Sequence, residues 1–185
     1  AAAGGNAAAN AATAPVATTA STSRHAHVRA FADKLSAHAE EASRATGVPA
    51  KFMLGQAALE SGWGRREIKA ADGSTSHNLF GIKAGAGWSG PTMTVTTTEY
   101  VDGRPHKVQE KFRAYASAAE SFADYARLLS QSPRYRQVLA NADSAQGFAS
   151  GLQRAGYATD PAYAEKLGRV INTTLRLQRS QGGAA

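Results

Sequence analysis

The sequence has no cysteine, which excludes a disulfide framework, a thiolate metal site and a papain-type nucleophile. No apolar run approaches membrane-spanning length, and no basic stretch leads into an apolar one as in a secretory signal. The histidines His25, His27, His38, His77 and His106 are scattered and form no HExxH pair. A GxSxG elbow is also missing, and Gly85-Ala86-Gly87 neither follows a strand nor opens a helix, so it is not a nucleotide loop. Carboxylate acid–base chemistry without metal or cofactor is what remains.

What is present fits one domain of ordinary size: 185 residues, 43% of them hydrophobic. Ala1 to Ser23 is almost entirely Ala, Gly, Asn, Thr and Ser and has no aromatic residue. Such a stretch buries too little apolar surface to offset the entropy of ordering it, and it reads as a flexible linker. An opening without Met is expected of a piece whose upstream part lies across that linker. The domain itself is expected over residues 24–180, with 181–185 a disordered tail. The net charge of +7 suits a polyanionic partner. Its basic residues are scattered and no nucleic-acid motif accompanies them, so the charge accords better with an acidic glycan bearing peptide carboxylates.

Helical periodicity runs from His25 to Thr46 and again from Pro49 to the stop signal at Gly62. In the second segment Phe52, Met53, Leu54, Ala57, Ala58 and Leu59 cover nearly every side, which predicts a buried helix. Gly64 to Gly90 reads as loop. From Thr92 the period becomes two, with Met93, Val95, Thr97 and Glu99 on one face. Asp102-Gly103 marks a turn, and Val108 to Tyr115 reads as the returning strand. Pro105 points to a connection longer than two residues. Four helical segments follow, the first with a Ser117/Glu120 capping box. The fold class is α+β, mainly α, with one inserted hairpin.

Glu60 is the position richest in chemistry. It closes a helix predicted to be buried, just before Gly62, Trp63 and Gly64. Burial, the negative helix end and an adjacent indole all favour the protonated carboxyl, as a general acid requires. Periodicity alone leaves an equal case for a surface carboxyl. Glycosidic cleavage normally needs a second carboxylate, and the hairpin offers Glu99 and its competitor Glu110. Either is also readable as a solvated strand-edge charge. Asn78, Phe80, Gly81 and Lys83 sit in a loop suited to a sugar or to core packing, and Trp88 and Tyr100 are possible platforms with core packing as the default. Tyr157 stands at a corner between helices, where it either anchors the corner or bonds a reacting group.

Gln56-Ala57-Ala58-Leu59-Glu60-Ser61-Gly62-Trp63-Gly64 and Asn78-Leu79-Phe80-Gly81-Ile82-Lys83 closely resemble the glucosaminidase domain of family 73 glycoside hydrolases. Thr98-Glu99-Tyr100, Lys111 to Tyr115, Ser132 to Tyr135 and Ala155 to Pro161 look like its flagellar subgroup, the rod-associated peptidoglycan hydrolases of Gram-negative bacteria. The resemblance spans about Phe31 to Leu175. It implies a lysozyme-like fold with a helical lobe, a small β-hairpin lobe and a cleft between them. It further implies Glu60 as general acid, Glu99 rather than Glu110 as second carboxylate, and Tyr157 near the reaction centre. Gln56, Ser61, Trp63, Asn78, Phe80, Gly81, Lys83, Trp88 and Tyr100 would contact substrate. The expected cut is the β-1,4 bond from N-acetylglucosamine to N-acetylmuramic acid, allowing the flagellar rod through the wall. The implied setting is the periplasm, reached by flagellar export, with rod proteins met through an upstream domain. An inverting route would hold the carboxyls roughly 6.5–9.5 Å apart; hairpin closure and assistance from the substrate's N-acetyl group are further routes. The rival readings are a lytic transglycosylase and a non-catalytic wall-binding or rod-assembly module.

Overall fold

The computed structural model describes residues 16–182, with side chains from 24 to 180. Two helices come first, α1 (Val16–Thr46) and α2 (Ala50–Ser61), then a long loop and the hairpin β1 (Thr92–Val101) and β2 (Arg104–Arg113). Helices α3 (Ala118–Gln131), α4 (Arg136–Ala140), α5 (Ala145–Arg154) and α6 (Tyr163–Gly182) complete the chain, with one 3-10 turn at Pro133–Tyr135. The α+β reading holds: among the described residues a helical body carries a single two-stranded antiparallel sheet. No helix among the described residues is long and apolar enough to cross a membrane.

The first helix begins at Val16 rather than at His25, so its backbone runs into the stretch read as linker. Lengthening an existing helix costs far less than nucleating one, and alanine is the best residue for it. The linker's earlier part, residues 1–15, lies outside the described residues. At the other end α6 continues to Gly182, and the remainder of the presumed tail is likewise not described.

The helix predicted to be buried is buried. Phe52, Met53, Leu54, Gly55, Gln56, Ala57 and Ala58 are all enclosed, with α1 and α6 packed against it. The approach of α6 is so close that a Cβ on Gly55 would stand 2.5 Å from Ile171 Cγ1, a separation only glycine permits. Gly62 then turns the chain in the left-handed region (φ 57°) and caps α2. Glu60 is thereby left half-buried in the helix's last turn.

The hairpin corrects one expectation. Val101 pairs directly with Arg104, so the connection is only Asp102-Gly103, with both residues at positive φ (51° and 74°). That is the two-residue turn whose twist matches the strands. Pro105 is tolerated in the strand because it pairs with Tyr100, one step from the hydrogen-bonded closing pair, where amides point away from the partner strand. The Tyr100 N–H accordingly donates to Thr159 Oγ1 at 2.8 Å, not to β2. The α3 capping box is modified. Ser117 Oγ accepts from the Glu120 N–H, while Glu120 Oε2 accepts from the amide of Ala116 instead of Ser117.

Candidate active site

Between the hairpin and the helical body lies a cleft of about 830 Å³. Glu60, Gly81, Lys83, Val95, Thr97, Glu99, Tyr100 and Tyr157 are among its lining residues. Its walls include the end of α2, the Asn78–Lys83 loop, β1 from Val95 to Tyr100, and the corner from Gly156 to Asp160.

The loop is shaped by Asn78. Its Nδ2 donates to the carbonyls of Ile82 and Arg113, both at 2.9 Å, and its Oδ1 accepts from the amides of Phe80 and Ile82 at 3.3 and 3.1 Å. Donors and acceptor are thus engaged inside the protein, and Asn78 is buried. Phe80 is fully buried, stacked on Tyr125 with centroids 4.1 Å apart and edge-on to Phe122. Each such aromatic pair adds about 0.5–1.5 kcal/mol beyond area burial. The strip Gly81-Ile82-Lys83 is therefore fixed at both ends, and it spans the two carboxyls. A Cβ on Gly81 would lie 3.0 Å from Glu60 Oε2, and Lys83 Nζ is 2.5 Å from Glu99 Oε1.

The two carboxyls have opposite environments. Glu60 is held among the phenols of Tyr163, Tyr157 and Tyr125. Desolvation pushes its pKa up to about 7, outweighing a hydrogen bond donated by Tyr163 to Oε1 at 2.7 Å, which acts the other way. For Glu99 burial also opposes ionisation, but Lys83 and Thr159 overcome it and hold the carboxyl below its usual range. Thr159 Oγ1 donates to Glu99 Oε2 at 2.7 Å. Lys83 reaches Glu110 as well, at 3.4 Å. Burial would lower the lysine's own pKa, but the two carboxylates raise it, so it remains cationic. The Lys83 side chain is 48% exposed, so its pairs add little to stability, about 1 kcal/mol or less each. Their effect is on protonation.

The hairpin faces turn out as the period-two pattern required. Val95 pairs with Glu110 and Glu99 with His106, and directly paired residues share a face. Glu99 and Glu110 are therefore neighbours on one face rather than on opposite sides. Glu99 lines the cleft; Glu110 does not and meets it only through Lys83.

Several residues read as substrate contacts are placed elsewhere. Gln56 is fully buried, and its Nε2 donates to Tyr163 Oη at 2.8 Å. Ser61 Oγ donates to the Ala57 carbonyl and accepts from the Gly64 amide, which secures the end of α2. Trp63 packs edge-on against Phe31 and lines a separate groove with Arg24, Arg65 and Arg169. The side chain bonded to Glu60 is the Tyr163 phenol, while that indole lines the second groove. Trp88 lies against Arg113 and Tyr115, with Nε1 bonded to the Pro91 carbonyl. Of the nine substrate candidates, Gly81, Lys83 and Tyr100 line the cleft. Tyr157 also lines it, but its hydroxyl donates to the Phe80 carbonyl. The phenol on Glu60 is that of Tyr163.

Thr159 and Tyr163 went unnoticed in the sequence. Tyr163 looks like one more apolar position of α6, and nothing local links Thr159 with a carboxylate 60 residues away.

A model of the family described as mannosyl-glycoprotein endo-β-N-acetylglucosaminidase matches residues 36–176. The chain belongs to the glucosaminidase family. Among glucosaminidase relatives, the peptidoglycan hydrolase FlgJ of Escherichia coli (strain K12) is 51% identical over 143 residues, covering 77% of this chain and 45% of FlgJ. The exo-glucosaminidase LytG of Bacillus subtilis (strain 168) is 35% identical over 146 residues, 76% of this chain and 49% of LytG. The chain thus spans less than half the length of these curated relatives. A solved mutant of the peptidoglycan hydrolase from Sphingomonas sp. A1 superposes with a TM-score of 0.75 at 47% identity, covering 83% of this chain and 98% of that one. The glycoside hydrolase domain of Salmonella typhimurium FlgJ gives 0.66 at 43% identity, covering 84% and 92%. The glucosaminidase fold seen here is thus the lysozyme-like one, a helical lobe and a hairpin lobe with the cleft between.

Proposed function

We propose that this chain is a peptidoglycan hydrolase domain that cuts the β-1,4 bond between N-acetylglucosamine and N-acetylmuramic acid. The observation that carries the reading is a cleft holding two carboxyls pushed in opposite directions: Glu60 up to about 7 and Glu99 below its usual range. Paired titratable groups driven apart in this way divide into an acid and a base. Glu60 gives its proton to the leaving glycosidic oxygen. Glu99 accepts a proton from a water whose oxygen bonds to the anomeric carbon, and inversion at that carbon is the expected outcome. Lys83 and Thr159 hold Glu99 ionised, Tyr157 braces the Phe80 carbonyl beside Gly81, and Tyr100 and the Gly81 strip face the glycan. The similarity to the peptidoglycan hydrolases FlgJ supports the cell wall as the place of action, where the domain would let the flagellar rod through. The domain then acts in the periplasm, is delivered by the flagellar export route, and has rod proteins as partners.

Product analysis of digested, purified sacculi tests the reading, with Glu60→Gln run beside the parent protein. Reducing N-acetylglucosamine ends are expected from the parent and almost none from the variant. Ends bearing 1,6-anhydro-muramic acid would instead establish a lytic transglycosylase, and absence of any cleavage a binding module.

A further inference from the structure

A chain of two hydrogen bonds, one buried and one part-buried, joins α2 to α6 at the floor of the cleft. Gln56 Nε2 donates to Tyr163 Oη at 2.8 Å, and Tyr163 Oη donates to Glu60 Oε1 at 2.7 Å. Gln56 lies one helical turn before Glu60 on α2, so both side chains leave the same helix face. Tyr163, from the start of α6, bridges them. Gln56 is fully buried and Tyr163 is 4% exposed, so water does not compete for the bond between them. The other end of the Gln56 amide, Oε1, is buried without a partner. A buried amide left half satisfied is costly, and here its donor end holds Tyr163.

We infer that Tyr163, aligned by Gln56, is a positioning residue that fixes the Glu60 carboxyl in the cleft and stabilises the carboxylate left once the proton has gone to the glycan. Gln56 occupies the phenol's lone pair, which commits the phenolic proton to Glu60. A hydrogen bond donated to a carboxyl favours its anion over its acid. It strengthens as charge develops, so its effect falls on the chemical step rather than on substrate binding. The titratable groups facing Glu60 are Tyr163 from α6, Tyr125 from α3 and Tyr157 from the corner before α6. Burial drives all three phenols well above 10. Glu60 is then the group of this cluster that titrates near neutrality.

The inference rests on Glu60 being the acid. Tyr163→Phe removes only the hydroxyl, and Gln56→Met removes the amide while keeping an unbranched chain. In the acid reading the alkaline limb of the kcat/KM profile reports loss of the Glu60 proton. For Tyr163→Phe that limb is expected to rise by about one pH unit, with kcat down roughly tenfold and KM within about twofold. Gln56→Met is expected to shift it in the same direction by less. Carbon-13 NMR titration of the Glu60 carboxyl should move by the same amount without any turnover. A residue with a merely structural part would lower the melting temperature and leave both titrations where they were. An unmoved limb and NMR midpoint in either folded variant overturn the inference. If Glu60→Gln remains active the acid reading itself fails, and the NMR midpoint still tells whether Tyr163 tunes the carboxyl.

Discussion

Glu60 Oε2 lies 3.0 Å from the point where a Cβ on Gly81 would stand. Gly81 also has φ +64°, where a side chain costs about 1–2 kcal/mol. Gly81→Ala therefore meets two obstacles, one of them the proposed acid. It is expected to destabilise the domain by about 1–2 kcal/mol in denaturant unfolding. Turnover per folded molecule is expected to fall at least tenfold, since a misplacement of about 1 Å costs that much or more. Turnover that follows the folded fraction alone would show that Glu60 has room to spare.

Glu60→Gln should reduce turnover by about 10²–10⁴, the range contributed by a general acid. The same variant tests the burial argument through stability. Glu60 has a folded pKa of about 7 against an ordinary 4.5, so the folded state binds its proton more tightly than the unfolded one. That contribution is complete below pH 4.5 and is lost as pH rises through 7. The variant should gain on the parent in unfolding free energy between pH 5 and pH 8, by at most about 3 kcal/mol. An equal difference at both pH values would mean that the carboxyl is solvated.

Lys83→Met frees Glu99 from its cation, and the Glu99 carboxyl should move up towards its ordinary range. The acid limb of kcat/KM is then expected to rise, with turnover at neutral pH down about tenfold or more. Glu99→Gln should be at least as severe. Glu110→Gln should cost less than about threefold, because Lys83 remains on Glu99 at the shorter distance. Equal losses from Glu99→Gln and Glu110→Gln would exchange their assigned parts.

Asn78→Ala separates a ligand contact from a structural hub. Four hydrogen bonds disappear and the amides of Phe80 and Ile82 are left without partners. The expected loss is about 2–4 kcal/mol by denaturant unfolding, with KM for glycan within about twofold at low temperature. A raised KM without loss of stability would put the amide on the substrate after all.

Apolar periodicity and a glycine stop made much of this molecule legible in the sequence. The all-round apolar pattern of α2 predicted its burial, and alternation in β1 put Glu99 on the face with Met93 and Val95. These features are local, since the backbone period converts spacing directly into a face. Local chemistry misled where a residue type admits two uses. Asn78 and Trp88 look like sugar ligands, but one folds its own loop and the other lies against Arg113.

The sequence by itself determined where the carboxyls stand along the chain and which way helix and strand turn them, because both follow from hydrophobic period. Which carboxyl keeps its proton was decided by tertiary structure alone. That depends on Tyr163, 103 residues beyond Glu60, and on Lys83 and Thr159 around Glu99. Desolvation and charge act through space over a few ångströms, and only the folded chain fixes which groups come that close.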